Sequence, residues 1–200
     1  EMKDVKFCLA FIHSPSSFHS RTKKIVVPED IKGMKIRPAH ATMANFVTQL
    51  GGTNVQSSAP EVRDIIERGV ADAVTFPWGS VVLFGIDKVT KYHMDAPLYV
   101  TTFAFVMNKD KYNQMSDKQK KAIDNNCSTE AAGRVGEPWG KFEDAGIEKI
   151  KAEAGHEVYK LTPEQTAQWK KASEPLVKTW GDGVKKAGGD PDTALTELKA

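Results

Sequence analysis

An α/β fold with a mainly parallel sheet is what this sequence predicts, and three features of its first half predict it. Apolar runs of strand length alternate with segments of helical period, glycines close the helices, and the connections are only a few residues long. Strands and helices joined so tightly imply right-handed βαβ crossovers, and those generate parallel pairing.

Taken in order, residues 5–12 (VKFCLAFI) are a strand, and residues 13–20, with two histidines, four serines and a proline, read as a turn-rich loop. Pro28-Glu29-Asp30-Ile31 is one helical turn closed by Gly33, after which residues 34–37 form a strand that Pro38 stops. Met43, Phe46, Val47 and Leu50 recur at helical spacing until Gly51-Gly52 ends the helix. A short strand at 54–56, a helix at 60–68 with Val62, Ile65 and Ile66 on one face, and a strand at 71–76 repeat the pattern.

Pro77-Trp78 opens an apolar segment that runs to Ile86, and residues 98–107 carry the strongest strand pattern in the chain. A polar helix is expected from Ser116 to about Glu153, with a kink near Gly133–Pro138. Residues 155–161 suggest a brief edge strand, Thr162-Pro163-Glu164-Gln165 caps a helix carrying Trp169, Leu176, Val177 and Trp180, and a last amphipathic helix follows Asp190-Pro191.

Composition narrows the function. The 28 Lys+Arg and 26 Asp+Glu are interspersed and leave a net charge of +2, so there is no basic patch for nucleic acid. No apolar run approaches the ~20 residues of a spanning helix, which excludes direct membrane insertion by such a helix and leaves small molecules as the favoured partners. Cys8 and Cys127 can pair, but they read better as two separate thiols packed as small hydrophobes. No targeting peptide is visible before the first strand.

Signatures of nucleophilic catalysis, phosphate binding, dinucleotide binding and zinc ligation are all missing, and His13 and His19 lack the intervening carboxylate that a metal site would favour. His156 reads as a surface residue. Arg37 stands out because it ends a strand of a parallel sheet, the edge where open α/β sheets bind ligands, and its planar fork suits a carboxylate. A solvent-facing arginine, or an ion pair to Asp30 or Glu61, is the competing reading. Phe76-Pro77-Trp78 ends a later strand and can turn aromatic surface to the same edge, or into the core.

The ordered pieces PEDIKGMKIR (28–37), Leu50-Gly51-Gly52, Glu61-Val62 through Gly69-Val70-Ala71-Asp72, and Phe105-Val106-Met107-Asn108-Lys109 resemble the periplasmic solute-binding proteins of TRAP (tripartite ATP-independent periplasmic) transporters. The resemblance implies a periplasmic binding protein-like α/β fold: two α/β domains around a cleft with a long bridging helix, closing on an organic acid that is delivered to membrane permease subunits, without catalysis, cofactor or metal. Against the family, roughly the first third is missing, so the first domain is largely absent. Residues 1–95 and 138–200 would form the second, ligand-clamping domain, and 96–137 a remnant of the first with the bridging helix.

The resemblance makes Arg37 the carboxylate clamp. Where sugar-acid-binding relatives carry asparagine, this chain has Phe76, and Ser17-Phe18-His19 stands where sialate-binding members place a second arginine. Unpaired sugar hydroxyls beside Phe76 and Trp78 would cost about 1–3 kcal/mol each, whereas an aryl ring gains ~0.5–1.5 kcal/mol by stacking. The expected ligand is therefore an aromatic monocarboxylate such as benzoate, phenylacetate or hydroxyphenylacetate, with His19, Thr75 or His93 available for a ring hydroxyl and Phe18 nearby. The alternatives are a non-aromatic organic acid (2-oxo acid, sugar acid or C4-dicarboxylate), a ligand-binding sensor partner, and a small α/β hydrolase or lyase using His19 or His93 as base.

Overall fold

The structure is a computed structural model and describes residues 3–199. A six-stranded sheet occupies its centre, in the order β4 (Thr53–Asn54), β3 (Lys35–Arg37), β5 (Ala73–Phe76), β2 (Ser17–Ser20), β6 (Tyr92–Met94), β8 (Glu157–Tyr159). The expected βαβ units are present: α1 (Ala41–Gln49) and α2 (Val62–Glu67) cross between β3, β4 and β5, which pair in parallel. One face packs on α1 and on α7 (Pro163–Lys186) through Met43, Phe46 and Trp169. The other is covered by α2, α3 (Trp78–Leu83) and α6 (Thr129–Ala152) through Val62, Ile66, Val81 and Ile150. With helices on both sides, every residue of β2 and β5 is buried, which is why neither strand shows polar alternation.

Four expectations need correction. Residues 17–20 are not a loop but β2, a central strand antiparallel to both β5 and β6 in a sheet whose other three pairings are parallel. Its serines serve as small residues under covering helices instead of turn formers. The strand at 5–12, β1, does not join this sheet; it pairs antiparallel with β7 (Thr102–Asn108) in a separate ribbon, Val5 opposite Asn108 and Ile12 opposite Thr102. Ile12 and Phe105 on that ribbon are 55% and 54% exposed. The polar helix is broken at 125–128, into α5 (Asp117–Asp124) and α6, because Ser128 is extended and its side chain accepts from the Ala131 N–H to start a new helix. Pro138 lies inside α6, where its missing N–H costs one intrahelical bond.

The fourth correction concerns the cysteines, which form the Cys8–Cys127 disulfide. The break between α5 and α6 returns the chain to β1 and brings the two Cα atoms to 4.4 Å. Residues 109–113 form α4 and residues 191–199 form α8. Elsewhere α6 crosses α3 so closely that a Cβ on Gly146 would strike the Gly79 backbone. The buried Glu143 fastens the crossing, accepting from Gly79 N at 2.5 Å, Ser80 Oγ at 3.0 Å and Trp139 Nε1 at 2.6 Å. No helix among the described residues is long and apolar enough to cross a membrane.

Candidate functional site

The carboxyl ends of β3 and β5 and the start of β2 meet at one edge of the sheet, because β2 runs against its neighbours. Pro28–Ile31 forms the expected turn, with Pro28 and Ile31 buried, and Gly33 follows at φ +76°, so β3 is delivered with Arg37 as its last residue. The guanidinium is half-buried. Asp30 and Glu61 are both engaged elsewhere, Asp30 accepting from Val26 and Val27 N–H and Glu61 from Ser58 N–H. Instead Arg37 donates from Nε (3.3 Å) and Nη2 (3.0 Å) to the main-chain carbonyl of Ser57, and its plane lies 5.4 Å over the Phe76 ring.

A guanidinium carries five N–H groups, and the Ser57 carbonyl occupies two on one side of the plane. The remaining three include the pair on Nη1 and Nη2 that forks onto a carboxylate. Burial pulls the Arg37 value down, with the nearby Tyr99 the opposing influence. A partly dehydrated cation with no acid beside it is costly to keep, and an incoming anion relieves that cost.

Phe76 ends β5 and Trp78 opens α3, and both pack in the core with Val81 and Ile150, each only 6% exposed. Phe76 is held between the Arg37 fork and Phe84, whose ring meets it edge-on at 5.7 Å. Trp78 packs edge-on against His19 at 4.8 Å. Thr75 is buried, its Oγ1 accepting from Ala39 N at 2.7 Å.

Three expected residues do not reach this edge. Phe18 lies on the opposite face, against Trp169 at 5.8 Å. His19 and His93 are enclosed in the core and belong to a hydrogen-bonded row: His19 Nε2 to Phe76 O at 3.0 Å, His19 Nδ1 to His93 Nδ1 at 2.9 Å, His93 Nε2 to His156 Nδ1 at 2.9 Å. A carbonyl only accepts, so His19 carries its proton on Nε2, His93 on Nδ1 and His156 on Nδ1. Burial drives His19 down to about 4, and burial with His19 and His156 beside it drives His93 lower still. Both rings are therefore neutral and fully engaged, which removes them as contacts for a ring hydroxyl and as catalytic bases. His156, expected at the surface, is half-buried at the end of the row.

The sequence did not disclose Tyr99. It lies in 97–101, a stretch with strand-like composition that precedes β7, where its backbone is pinned to Ser16 by Ser16 N to Tyr99 O at 2.9 Å. Its ring is held edge-on by His13 (5.8 Å) and by His40 (5.5 Å). His13 leads on to Phe103 of β7 (5.9 Å) and Phe103 to Trp139 of α6 (5.0 Å). A cavity of about 710 Å³ is lined by Tyr99 and His40 together with Met43, Leu98, Trp169 and Trp180, and not by Arg37.

Several solved structures share this fold. A TRAP solute-binding protein from a marine metagenome, specific for aromatic acid ligands and in complex with metahydroxyphenylacetate, is 32% identical, with a TM-score of 0.84 over 96% of this chain and 61% of that one. A TRAP solute-binding protein from Rhodoferax ferrireducens with copurified benzoate is 25% identical, with a TM-score of 0.86 over 97% of this chain and 62% of that one. A Sulfitobacter protein with bound β-D-galacturonate, 20% identical, shares the fold, with a TM-score of 0.79 over 92% of this chain and 60% of that one. The chain thus spans about three fifths of the length of these relatives. Residues 8–182 match the family described as bacterial extracellular solute-binding protein, family 7, and with TRAP solute-binding proteins as its structural relatives the chain belongs to that family.

Proposed function

We propose that this protein captures an aromatic monocarboxylate in the periplasm and hands it to the permease subunits of a TRAP transporter. The observation that carries the reading is Arg37: a half-buried cation with no acid partner among the described residues, steered by the Ser57 carbonyl so that its Nη1/Nη2 end is left for one carboxylate. Phe76 beneath the fork, where an amide would serve a polyol, favours a flat apolar body over a sugar. The aromatic acids bound by the marine metagenome and Rhodoferax proteins agree with this choice, whereas the galacturonate of the Sulfitobacter protein marks the competing ligand class. The Cys8–Cys127 disulfide suits an oxidising compartment.

Within this reading the ligand-clamping domain is the six-stranded sheet with its helices. The first-domain remnant is the β1–β7 ribbon with 96–137, so residues 5–12 move from the former to the latter. Closure between the two bodies would report occupancy to the permease. The test is native mass spectrometry of the natural protein purified without added ligand, followed by titration calorimetry with benzoate, phenylacetate, hydroxyphenylacetate, uronates and C4-dicarboxylates. An aryl acid should co-purify and bind most tightly; micromolar binding of uronates or dicarboxylates with no binding of aryl acids would end the proposal.

A further inference from the structure

Buried polar atoms without a hydrogen-bond partner occur at several places among the described residues, and three of them neighbour Arg37. These are Ser17 Oγ, from the residue directly across the strand pair from Phe76, Ser57 Oγ, from the residue whose carbonyl steers Arg37, and Tyr99 Oη. A folded chain seldom leaves such atoms unpaired, and several at one ligand edge point to a polar group supplied from outside.

Tyr99 is the most constrained of them. It is 9% exposed, its main chain is tied to Ser16 through both N–H and C=O, and two imidazoles grip its ring, so the side chain cannot swing to find a partner. The hydroxyls of Thr75 and Ser16 face it, yet neither forms a bond of good geometry with it. Thr75 Oγ1 accepts from Ala39 N at 2.7 Å, and Ser16 Oγ donates to Ser14 O at 3.1 Å and lies 3.3 Å from His13 Nδ1. Burial raises the Tyr99 value, so the phenol stays protonated and available as a donor.

We propose that Tyr99 is the second anchor of the site and that the ligand is a hydroxy acid, with a carboxylate for Arg37 and a hydroxyl, farther along the molecule, for Tyr99 Oη. This rests on the reading of Arg37 as the carboxylate clamp and sharpens it: among aryl acids, ring-hydroxylated ones are selected over their unsubstituted counterparts. A phenol that stays unpaired when the unsubstituted acid binds is the physical origin of the discrimination.

Titration calorimetry on the natural protein and its Tyr99→Phe variant, with phenylacetate, 3-hydroxyphenylacetate, 4-hydroxyphenylacetate and D-glucuronate, decides the matter. The natural protein should bind one of the hydroxyphenylacetates about tenfold more tightly than phenylacetate, and Tyr99→Phe should erase that preference while leaving phenylacetate unchanged. The ligand-free variant should melt no lower than the natural protein, since its ring is kept and the lost hydroxyl had no partner. Equal affinities in the natural protein, or a preference that survives Tyr99→Phe, would overturn the inference while the aryl acid reading stands. If only D-glucuronate binds, the aryl reading falls and the second anchor is judged there: about tenfold weakening by Tyr99→Phe supports it, and no change overturns it. Binding of none of these acids would overturn both.

Discussion

Lowering the pH from 7.5 to 5.0 should cost this fold about 4 kcal/mol of stability through the enclosed histidine row alone. In the folded protein His19 is held down to about 4 and His93 lower still, both first by burial. In the unfolded chain each titrates near ~6.5. Between those values the unfolded state binds more protons than the folded one, so stability rises with pH by about 1.4 kcal/mol per unit for each ring. At pH 5.0 that integrates to about 2 kcal/mol per ring. His40, lowered by burial and by His13, adds a smaller amount of the same sign. The exposed carboxylates whose values are lowered, such as Glu61 and Asp124, stay largely ionised at pH 5.0 in both states and contribute little there. Urea titrations across this range give the linkage slope directly, and His93→Gln should reduce it by about one proton even where it lowers stability overall. A stability flat to within about 1 kcal/mol between pH 7.5 and 5.0 would refute the neutral, proton-ordered row.

Two further outcomes are expected. Arg37→Lys should weaken binding of the carboxylate ligand by about 10- to 100-fold in calorimetry, because an ammonium cannot hold the Ser57 carbonyl and fork onto an anion together; unchanged affinity would remove Arg37 from the site. The Cys8–Cys127 bond spans 119 residues of sequence, so replacing both cysteines by serine should destabilise the protein by up to about 5 kcal/mol on chain-entropy grounds. Thermal melts of the serine variant and of the dithiothreitol-treated protein check this, and melts equal to the untreated protein would mean that the bond does not form.

What could be read in the sequence was whatever local chemistry dictates. Pro28, Gly33 and Pro38 bracket β3 so tightly that Arg37 could be placed at a strand end before any tertiary contact was known. The capping sequence Thr162-Pro163-Glu164-Gln165 located the start of α7 in the same way. Residues 17–20 read as a loop because serine and histidine carry turn or surface connotations that only burial on both faces overrides. The helix break at 125–128 is hidden for the reverse reason: Gly133, Gly136 and Pro138 have the character of breakers, while the operative signal is the Ser128 cap. The histidine row joins positions 63 and 74 apart in sequence, and Tyr99 gains its role from Ser16, His13 and His40; no local pattern encodes such meetings.

Because the Ser57 group that steers Arg37 is a peptide oxygen, drift at position 57 can replace the serine without disturbing the aim of the cation. Side-chain torsions that a free arginine would surrender on complex formation are already frozen, so little ordering entropy is charged to the incoming molecule. On the proposed reading of Arg37 as the clamp, the headgroup would enter along one line, roughly in the guanidinium plane. Orientation would then be imposed on every acid admitted, while variation in the surrounding rings would remain free to decide which acid that is.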